Sequence, residues 1–523
     1  MRVMDHPNCS CPGVEREGVI AHPPLTPPSL VGAGLIREET LARESEPARG
    51  IRARLISGVC WTTLFAVFSQ GSTFLATVAF ARVLGQEPFG KLGMLQSLAS
   101  SLAVFAGLGL GLTATKSISE LRGRDSQQAG RMLGSCLLVT TCTGLAYSLG
   151  LLVLAPWVAA DLLGSADLEL RVRIIAIAVF FLTMNGYQVG ALLGLEAFSC
   201  LAWLNCVLGV VTVLLSLVLP RLAGLTGAVG AVVLTAVVSW VLHQGALRRA
   251  CRREGISVRF DNLGRVLPAL RTFTLPAALS GLMGGLAILG ANAILVRQEN
   301  GFVEIAAFTA ATTLRTMVMF VPAIVSRVSA PVLCSLRARN DLSGYRRTLR
   351  VCLLFNSLVT GIAGMLCYWG APHLFGMFGR DFVGSPSLLL LLLLGALAET
   401  LAVAWYQTVL AHGKIWTHFA VTLPWSALLL GMTWWGAARY GALALAAAYL
   451  VGWSSAAVLY RAASRRLDVG ASGPDLASPG CRQERLAPHN SPARRLLALP
   501  ASWRRTRSAL LGIAGQEGRL PRR

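Results

Sequence analysis

The stretch IAAFTAATTLRTMVMFVPAIVS, residues 305–326, decides the fold that the rest of the chain must adopt. It is long enough to cross a bilayer core as a helix, which takes about 20 residues. Arg315 falls near its middle, and an arginine at that depth costs roughly 3 kcal/mol on insertion scales. We therefore expect Arg315 to face a polar cavity or a partner rather than lipid. Three threonines lie at helical spacing along a neighbouring ridge: Thr309, Thr312 and Thr316.

Two interpretations of Arg315 follow from its depth. In the first, it lines one wall of a wet, cationic cavity inside a multi-span transporter, since intramembrane charges usually serve function. In the second, it is a structural arginine paired within the helix bundle. Glu399 is the one carboxylate deep inside a predicted span. It is therefore both a candidate for proton coupling and the natural partner for Arg315.

The composition of the whole chain agrees with a membrane protein. Apolar residues make up 54% of the 523, charged residues make up 14%, and the mean hydropathy is +0.60. A soluble protein of this length carries far more charge. The formal net charge of +22 lies mostly in loops and tails, so it indicates membrane topology rather than nucleic-acid binding.

The apolar runs predict an all-α integral membrane protein with about twelve transmembrane helices in two pseudo-symmetric six-helix lobes. The predicted spans are 55–80, 92–113, 132–154, 174–195, 201–219, 226–242, 273–296, 305–326, 351–369, 387–410, 419–437 and 442–460. The predicted organisation is a disordered cytoplasmic N-tail (1–54), an N-terminal lobe (55–246), a basic cytoplasmic loop (247–271), a C-terminal lobe (272–463) and a disordered basic C-tail (464–523). Lysine and arginine concentrate in loops on one side, which places both termini in the cytoplasm.

The two halves of the chain contain similar segments. EPFGKLGML (87–95) leads into the second span, and NGFVEIAAF (300–308) leads into the Arg315 span. Phe89 corresponds to Phe302 in this alignment. Because six spans is an even number, the two lobes enter the membrane in the same orientation, and a substrate path between them suits alternating access.

The residue types that carry enzymatic or metal chemistry are not grouped in this sequence. The twelve cysteines are scattered, and the CxC of Cys9 and Cys11 has no completing set of ligands nearby, so we predict no metal site and no cofactor. No GxSxG, P-loop or HExxH motif occurs, and the predicted outer loops are short. We therefore expect a transporter rather than an enzyme.

Several segments resemble a known family when taken in order over residues 55–466. They are LGQEPFGKLGMLQSLASSLAVFAGLGLGLTATKSISELR (84–122), GYQVGALLGLEAF (186–198), VPAIVSRVSAPVLCSLRARND (321–341), LFGMFGRDFVGSP (374–386) and VLAHGK (409–414). Together they resemble the polysaccharide-type, lipid-linked oligosaccharide flippases of the multidrug/oligosaccharidyl-lipid/polysaccharide exporter superfamily.

The resemblance implies a transporter that flips undecaprenyl-pyrophosphate-linked oligosaccharide units across the bacterial plasma membrane, for exopolysaccharide, O-antigen or a wall precursor. It implies a central cavity with cationic side chains, lined by helices one, two, seven and eight. The implied partners are the lipid-linked oligosaccharide and membrane lipids, together with a polysaccharide polymerase and glycosyltransferases. Nucleic acid is not among them.

We predict that Arg315 binds the pyrophosphate, because its planar fork makes two charge-assisted hydrogen bonds. Arg327, about three helical turns further on, is predicted to receive the head group at the entrance, or else to be an interfacial snorkelling arginine. Further substrate-binding candidates are Gln70, Gln96, Asn292 and Thr312. Such polar residues also commonly tie transmembrane helices together.

Two other functions are compatible with the sequence. One is a cation-coupled multidrug exporter of the same superfamily, which would favour more acidic residues inside the lobes than Glu399. The other is a scaffold of a polysaccharide assembly complex that has lost transport.

Overall fold

The structure, a computed structural model, describes residues 67–121, 125–260, 275–338, 341–379, 382, 386–412 and 414–470. Within these ranges all regular secondary structure is helical and no strand occurs, so the predicted all-α fold is confirmed. This is the expected form for a chain in lipid, where backbone groups must be hydrogen-bonded within the segment. Three parts of the predicted organisation lie outside the described residues. They are the N-tail, residues 261–274 at the end of the central loop and just after it, and the C-tail beyond residue 470.

The helices vary widely in length. In chain order they are α1 (Val67–Leu84), α2 (Gln86–Gly107), α3 (Leu110–Leu121), α4 (Ser126–Val153), α5 (Ala155–Trp157), α6 (Glu169–Gly194), α7 (Phe198–Arg253), α8 (Leu275–Val296), α9 (Gly301–Val318), α10 (Phe320–Ala338), α11 (Leu342–Trp369), α12 (Ala371–Gly376), α13 (Pro386–Ala411), α14 (Ile415–Tyr440) and α15 (Ala442–Gly470). A π-helical turn (Val158–Leu162) and a 3₁₀ turn (Ala166–Leu168) join α5 to α6.

The described helices are those of a multi-pass membrane protein. Nine are long and apolar enough to cross a membrane, or ten if the bent pair Gly301–Val318 and Phe320–Ser326 forms one span. The 56 residues of α7 are counted once, although they amount to about 84 Å of helical rise in total, roughly twice the thickness of a bilayer. This helix is broken at Ala223 and Gly224, where Gly224 has a φ of 54° that favours glycine. The predicted number of twelve crossings stays a prediction.

Large aromatic side chains lie on the outer surface of the bundle. Trp369, Trp434 and Trp435 are 71%, 76% and 83% exposed. They lie near the ends of α11 and α14, where tryptophan commonly marks the membrane interface. The exposed apolar surface is therefore the lipid-facing surface of the protein.

Two spans predicted as continuous are each broken into two helices. Within the predicted span 92–113, α2 ends at Gly107. The chain turns through Leu108 and Gly109, whose φ angles are 45° and 66°, and continues as α3. The predicted span 305–326 bends by 48° between α9 and α10. Pro322 explains this second break, since it has no N–H to donate to the carbonyl of Val318. The corresponding spans of the two halves are thus interrupted at corresponding places.

The helix α2 packs on both halves of the chain. Its most extensive packing is with α6 from the first half and with α8 and α9 from the second. Within the second half, α13 and α14 pack on α15, and α8 packs on α14. This arrangement places α2, α8 and α9 where the two halves meet.

Candidate functional site

The two halves are in close contact where α2 and α9 begin. A Cβ atom at Gly90 would lie 1.8 Å from the carbonyl oxygen of Phe302, and one at Gly93 would lie 2.8 Å from Oγ1 of Thr309. The Lys91 ammonium lies 5.3 Å from the centre of the Phe302 ring. The glycines therefore let two helix backbones approach more closely than any other residue would allow.

The same end of the bundle has further contacts between the halves. Arg82 Nε donates a hydrogen bond of 2.6 Å to the carbonyl oxygen of Met377. Edge-to-face ring pairs join Phe74 to Phe378 and Phe89 to Phe382, with centroids 6.1 and 5.7 Å apart. We call this end, defined by Gly90, Phe302 and Met377, the closed end.

The helices that follow the two breaks pack within their own halves. The substantial packing of α3 among the described helices is with α4 and α6, and that of α10 is with α11 and α13. Gly111 and Gly190 bring α3 against α6, since a Cβ at Gly190 would lie 2.2 Å from the Gly111 carbonyl oxygen. Among the described residues, α3 and α10 therefore pack within their own halves beyond Leu108 and Met319, whereas the two halves are in contact at the closed end.

Arg315 lies on α9, one turn before the bend, and forms an ion pair with Glu399 of α13. The two side chains are 11% and 20% exposed. The Tyr449 ring of α15 lies 5.8 Å from Arg315 Cζ, close enough for a cation–π contact. The partner suggested by the sequence is thus the one found, and the pair together with Tyr449 connects three helices of the second half.

Two buried polar atoms of α9, one in Arg315 itself and one in Thr312, take part in neither a hydrogen bond nor the ion pair. Neither Arg315 Nε nor Thr312 Oγ1, one turn earlier on α9, has a hydrogen-bond partner among the described residues. A buried donor without a partner costs free energy, so such atoms usually meet water or a ligand. Arg315 Nε and Thr312 Oγ1 are therefore available to bind a ligand or water inside the second half.

A buried seam of polar side chains continues from the ion pair through the second half. Thr400, next to Glu399, contacts Thr360 Oγ1 at 3.2 Å and donates to the sulfur of Met319. Gln407 Nε2 donates to the Ser326 carbonyl oxygen at 2.7 Å, and its own Oε1 accepts from Ser329. The seam therefore runs along one side of α13 and meets the bend between α9 and α10.

The remaining predicted substrate-binding residues lie where α1, α2 and α8 pass through the bundle. Asn292 is buried, and its Nδ2 donates a 3.0 Å hydrogen bond to Ser97 Oγ, which links α8 to α2 across the halves. Gln70 on α1 and Gln96 on α2 are half-buried. The side chain of Arg327 lies outside the described residues, so its predicted role is untested.

Two further polar residues join helices within the first half. Asn185 Nδ2 donates to the carbonyl oxygen of Ala236, and Gln188 Nε2 donates to Gln244 Oε1 and to the carbonyl oxygen of Trp240. For these residues the structure shows the helix-tying arrangement.

Sequence reasoning missed the seam and most of the closed end. Thr400 and Gln407 share a helix with Glu399, so helical spacing from Glu399 was the available signal. The Arg82–Met377 contact joins a side chain to a backbone oxygen, which no residue pattern marks. Within the described residues no group of three or more His, Cys, Asp and Glu is placed to hold a metal.

Comparison with known proteins identifies both a family and a fold. The family described as polysaccharide biosynthesis protein matches residues 55–337, just over half of the chain. No curated protein sequence matches significantly.

Among solved structures, an inward-facing multidrug resistance MATE family transporter of the MOP superfamily is similar with a TM-score of 0.68 and 15% identity, over 78% of this chain and 96% of that one. An outward-facing structure of such a transporter gives a TM-score of 0.62 at 15% identity, over 80% of this chain and 96% of that one. A MOP superfamily transporter from Pyrococcus furiosus, described as having a binding pocket of reverse polarity, gives 0.63 at 15% identity, over 80% and 96%. These similarities establish the fold.

Proposed function

Since the chain belongs to the polysaccharide biosynthesis protein family, we propose that it flips undecaprenyl-pyrophosphate-linked oligosaccharide units across the bacterial plasma membrane by alternating access. The predicted family is confirmed, and the substrate is the part that the proposal adds. Such a substrate has an anionic pyrophosphate, a polar glycan and a long apolar tail. Its carrier must open to each side of the membrane in turn.

The observation that carries the proposal is the closure of the bundle at one end. Helices from the two halves meet backbone to backbone at Gly90 and Phe302, whereas α3 and α10 pack within their own halves after the breaks. Interrupted helices at corresponding positions of two repeats are typical of transporters that rock one half against the other. The closed end then faces the periplasm if both termini are cytoplasmic, as the lysine and arginine distribution predicts.

In this proposal Arg315 exchanges one anionic partner for another. In the substrate-free state it is neutralised by Glu399. A pyrophosphate oxygen competes with Glu399 for the Arg315 guanidinium and accepts a hydrogen bond from its free Nε–H. The Thr312 hydroxyl, one turn away, offers a second hydrogen bond. Protonation of Glu399 releases Arg315, which couples substrate binding to proton uptake. The bend at Met319, directly after Arg315, lets α10 move when the pair breaks.

The other proposed substrate contacts suit the glycan and the entrance. The Asn292–Ser97 hydrogen bond spans the two halves, so opening of the closed end breaks it and frees both side chains for sugar hydroxyls. Gln70 and Gln96 offer amide groups from α1 and α2. Arg327 is proposed to meet the head group on the side from which it enters.

The test is deletion of the gene in the organism that carries it. Undecaprenyl-pyrophosphate-linked oligosaccharide in the membrane and polysaccharide at the surface are then quantified. Complementation uses the wild type, Arg315→Ala and, as a matched control on an exposed arginine, Arg249→Ala. We expect lipid-linked units to accumulate and surface glycan to fall in the deletion strain. Arg249→Ala should restore both, and Arg315→Ala should reach the membrane in normal amounts without restoring either.

Other outcomes would point to the alternatives. Normal surface glycan with increased sensitivity to cationic drugs would overturn the substrate assignment in favour of a multidrug exporter. The similar solved structures include multidrug transporters, but at 15% identity the similarity shows only the fold and not the substrate. If the deletion strain loses surface glycan and Arg315→Ala restores it fully, the protein still acts in polysaccharide biosynthesis. In that case Arg315 has no role in the transport mechanism.

A further inference from the structure

A cavity of about 180 Å³ lies at the end of the bundle opposite the closed end, inside the first half of the chain. Its lining comes from α4, α6, the last turns of α7 and the extended segment 256–260 that follows α7, which we call the connector. Its apolar wall includes Leu133, Leu137 and Val258. The cavity is therefore separate from the α2, α8 and α9 helices that carry the proposed substrate path.

The connector is held firmly as one wall of this cavity. The backbone N–H of Arg259 donates a 3.1 Å hydrogen bond to the carbonyl oxygen of Gly130 on α4. Cβ atoms at Gly130 and Gly134 would lie 1.9 Å from the carbonyl oxygens of Ser257 and Arg259. Two glycines one turn apart thus form a groove in α4 into which the connector backbone fits.

The charged groups that line the cavity are both hydrogen-bond donors, and the Tyr187 hydroxyl, which donates to the Leu133 carbonyl oxygen, and the Cys251 thiol also belong to its lining. Gln244, Arg248 and Arg252 follow one another at single-turn spacing on α7. Gln244 Oε1 already accepts from Gln188, so its amide N–H groups are what it can offer a ligand. Arginine offers donors and no acceptor, and no acidic side chain lines the cavity. This lining selects an anion, and two guanidinium groups suit a phosphate.

The depth of these arginines matches the head groups of a bilayer. They lie 24 and 28 residues after the break at Gly224, which corresponds to about 36–42 Å of helix. A bilayer with its head groups is about 40–45 Å thick, so a helix that leaves one interface at Gly224 reaches the opposite head groups at Arg248 and Arg252. Basic pockets between transmembrane helices at this level bind anionic lipid head groups.

We propose that this cavity binds an anionic phospholipid of the surrounding membrane. Its phosphate lies between Arg248 and Arg252, and its glycerol and first methylene groups lie against Leu137 and Val258. The lipid contacts α4, α7 and the connector together, so its binding stabilises the docked position of the connector on α4. Bound lipid therefore helps to hold the connector against α4.

The experiment measures lipid binding to the purified full-length protein by native mass spectrometry in detergent. The probes are phosphatidylglycerol and phosphatidylcholine with identical acyl chains. We expect a preference for phosphatidylglycerol in the wild type and about a tenfold loss of its affinity in Arg248→Gln/Arg252→Gln. The matched control is Arg249→Gln/Arg253→Gln, which removes the same charge from arginines that are exposed, as Arg248 and Arg252 also are, but that lie outside the cavity lining. This control should bind nearly as the wild type does.

A second variant tests the cavity without changing any charge. Val258→Trp places a large ring against the apolar wall and should also reduce phosphatidylglycerol binding. If the double arginine variant fails to fold, this variant alone shows whether the cavity is the lipid-binding site. Equal losses in the two arginine pairs would overturn the proposal in favour of diffuse electrostatic attraction. An absence of lipid preference in the wild type, or wild-type binding in Val258→Trp, would overturn it as well.

Discussion

Arg315 and Glu399 form an ion pair between α9 and α13, in the interior of the second half of the chain. Neither residue makes any of the contacts that define the closed end, although Arg315 shares α9 with Phe302, and Arg315 is one turn from the bend that separates α9 from α10. Breaking one member of a buried pair leaves an uncompensated charge, whereas replacing both by apolar residues of similar size is often neutral. The pair therefore allows its structural and functional roles to be measured separately.

We expect Arg315→Met or Glu399→Met alone to lower the free energy of unfolding by about 3 kcal/mol or more. The double variant Arg315→Met/Glu399→Met should recover most of this stability, because no unpaired charge remains. Thermal unfolding of the purified proteins in detergent measures the stabilities. If Arg315 binds substrate as proposed, the stable double variant still fails to restore surface glycan. Full restoration by the double variant would assign the pair a purely structural role.

The sequence was informative about Arg315 because the cost of a charge in lipid limits its surroundings. It predicted a polar cavity or a partner, and Glu399 was the one deep carboxylate available. It could not identify Tyr449, since a buried tyrosine in an apolar run looks like any packed aromatic residue. The direction in which Arg315 Nε points depends on the packing of α9, α13 and α15 together. Whether substrate reaches Arg315 stays a prediction.

The internal repeat was visible in the sequence, but its structural consequence was not. Matching EPFGKLGML to NGFVEIAAF predicted that Phe89 and Phe302 are equivalent. The structure adds that the two equivalent segments touch, with Gly90 against the Phe302 carbonyl oxygen. The alternate glycines of the GLGLGL segment (107–112) permit a bend, but the left-handed conformation of Leu108 had no residue signal. Contacts between distant helices depend on tertiary packing, which periodicity does not encode.

Gly90 offers a direct test of the closed end. Gly90→Ala forces α2 and α9 apart, because its Cβ would lie 1.8 Å from the Phe302 carbonyl oxygen. We expect faster maleimide labelling of a reporter at Phe378→Cys, which is fully buried in the wild type, in a background without native cysteines. Gly107→Ala is the matched control on the same helix, since its Cβ would meet nothing within 4 Å. Equal labelling in both variants would contradict a role for Gly90 in closure.

Asp341 gives a pH-dependent prediction at the start of α11. Hydrogen bonds from the Gly344 backbone N–H and from Ser343 Oγ hold the pKa of the Asp341 carboxyl below its usual range. A lowered pKa in the folded state stabilises the protein above the ordinary pKa of about 3.9, and that contribution disappears as the pH falls through the folded value. Asp341→Ala should therefore be less stable than the wild type at pH 7 and equally stable well below pH 4. Melting temperatures across this range measure the difference, and a gap that persists at low pH would mean that the carboxylate charge is not the cause.

Cross-linking tests whether the closed end must open during transport. Phe89 and Phe382 lie on opposite halves with ring centroids 5.7 Å apart, so cysteines at these positions are within reach of a short bifunctional reagent. We expect the cross-linked Phe89→Cys/Phe382→Cys protein to lose transport about tenfold or more, and reduction of a cleavable linker to restore it, because alternating access requires these segments to separate. The control is Ser148→Cys/Ala176→Cys, where Ser148 Oγ donates to the Ala176 carbonyl oxygen within the first half. A link there joins helices that move together and should leave transport intact. Undiminished flipping by the cross-linked Phe89–Phe382 variant would show that the closed end stays shut throughout the cycle.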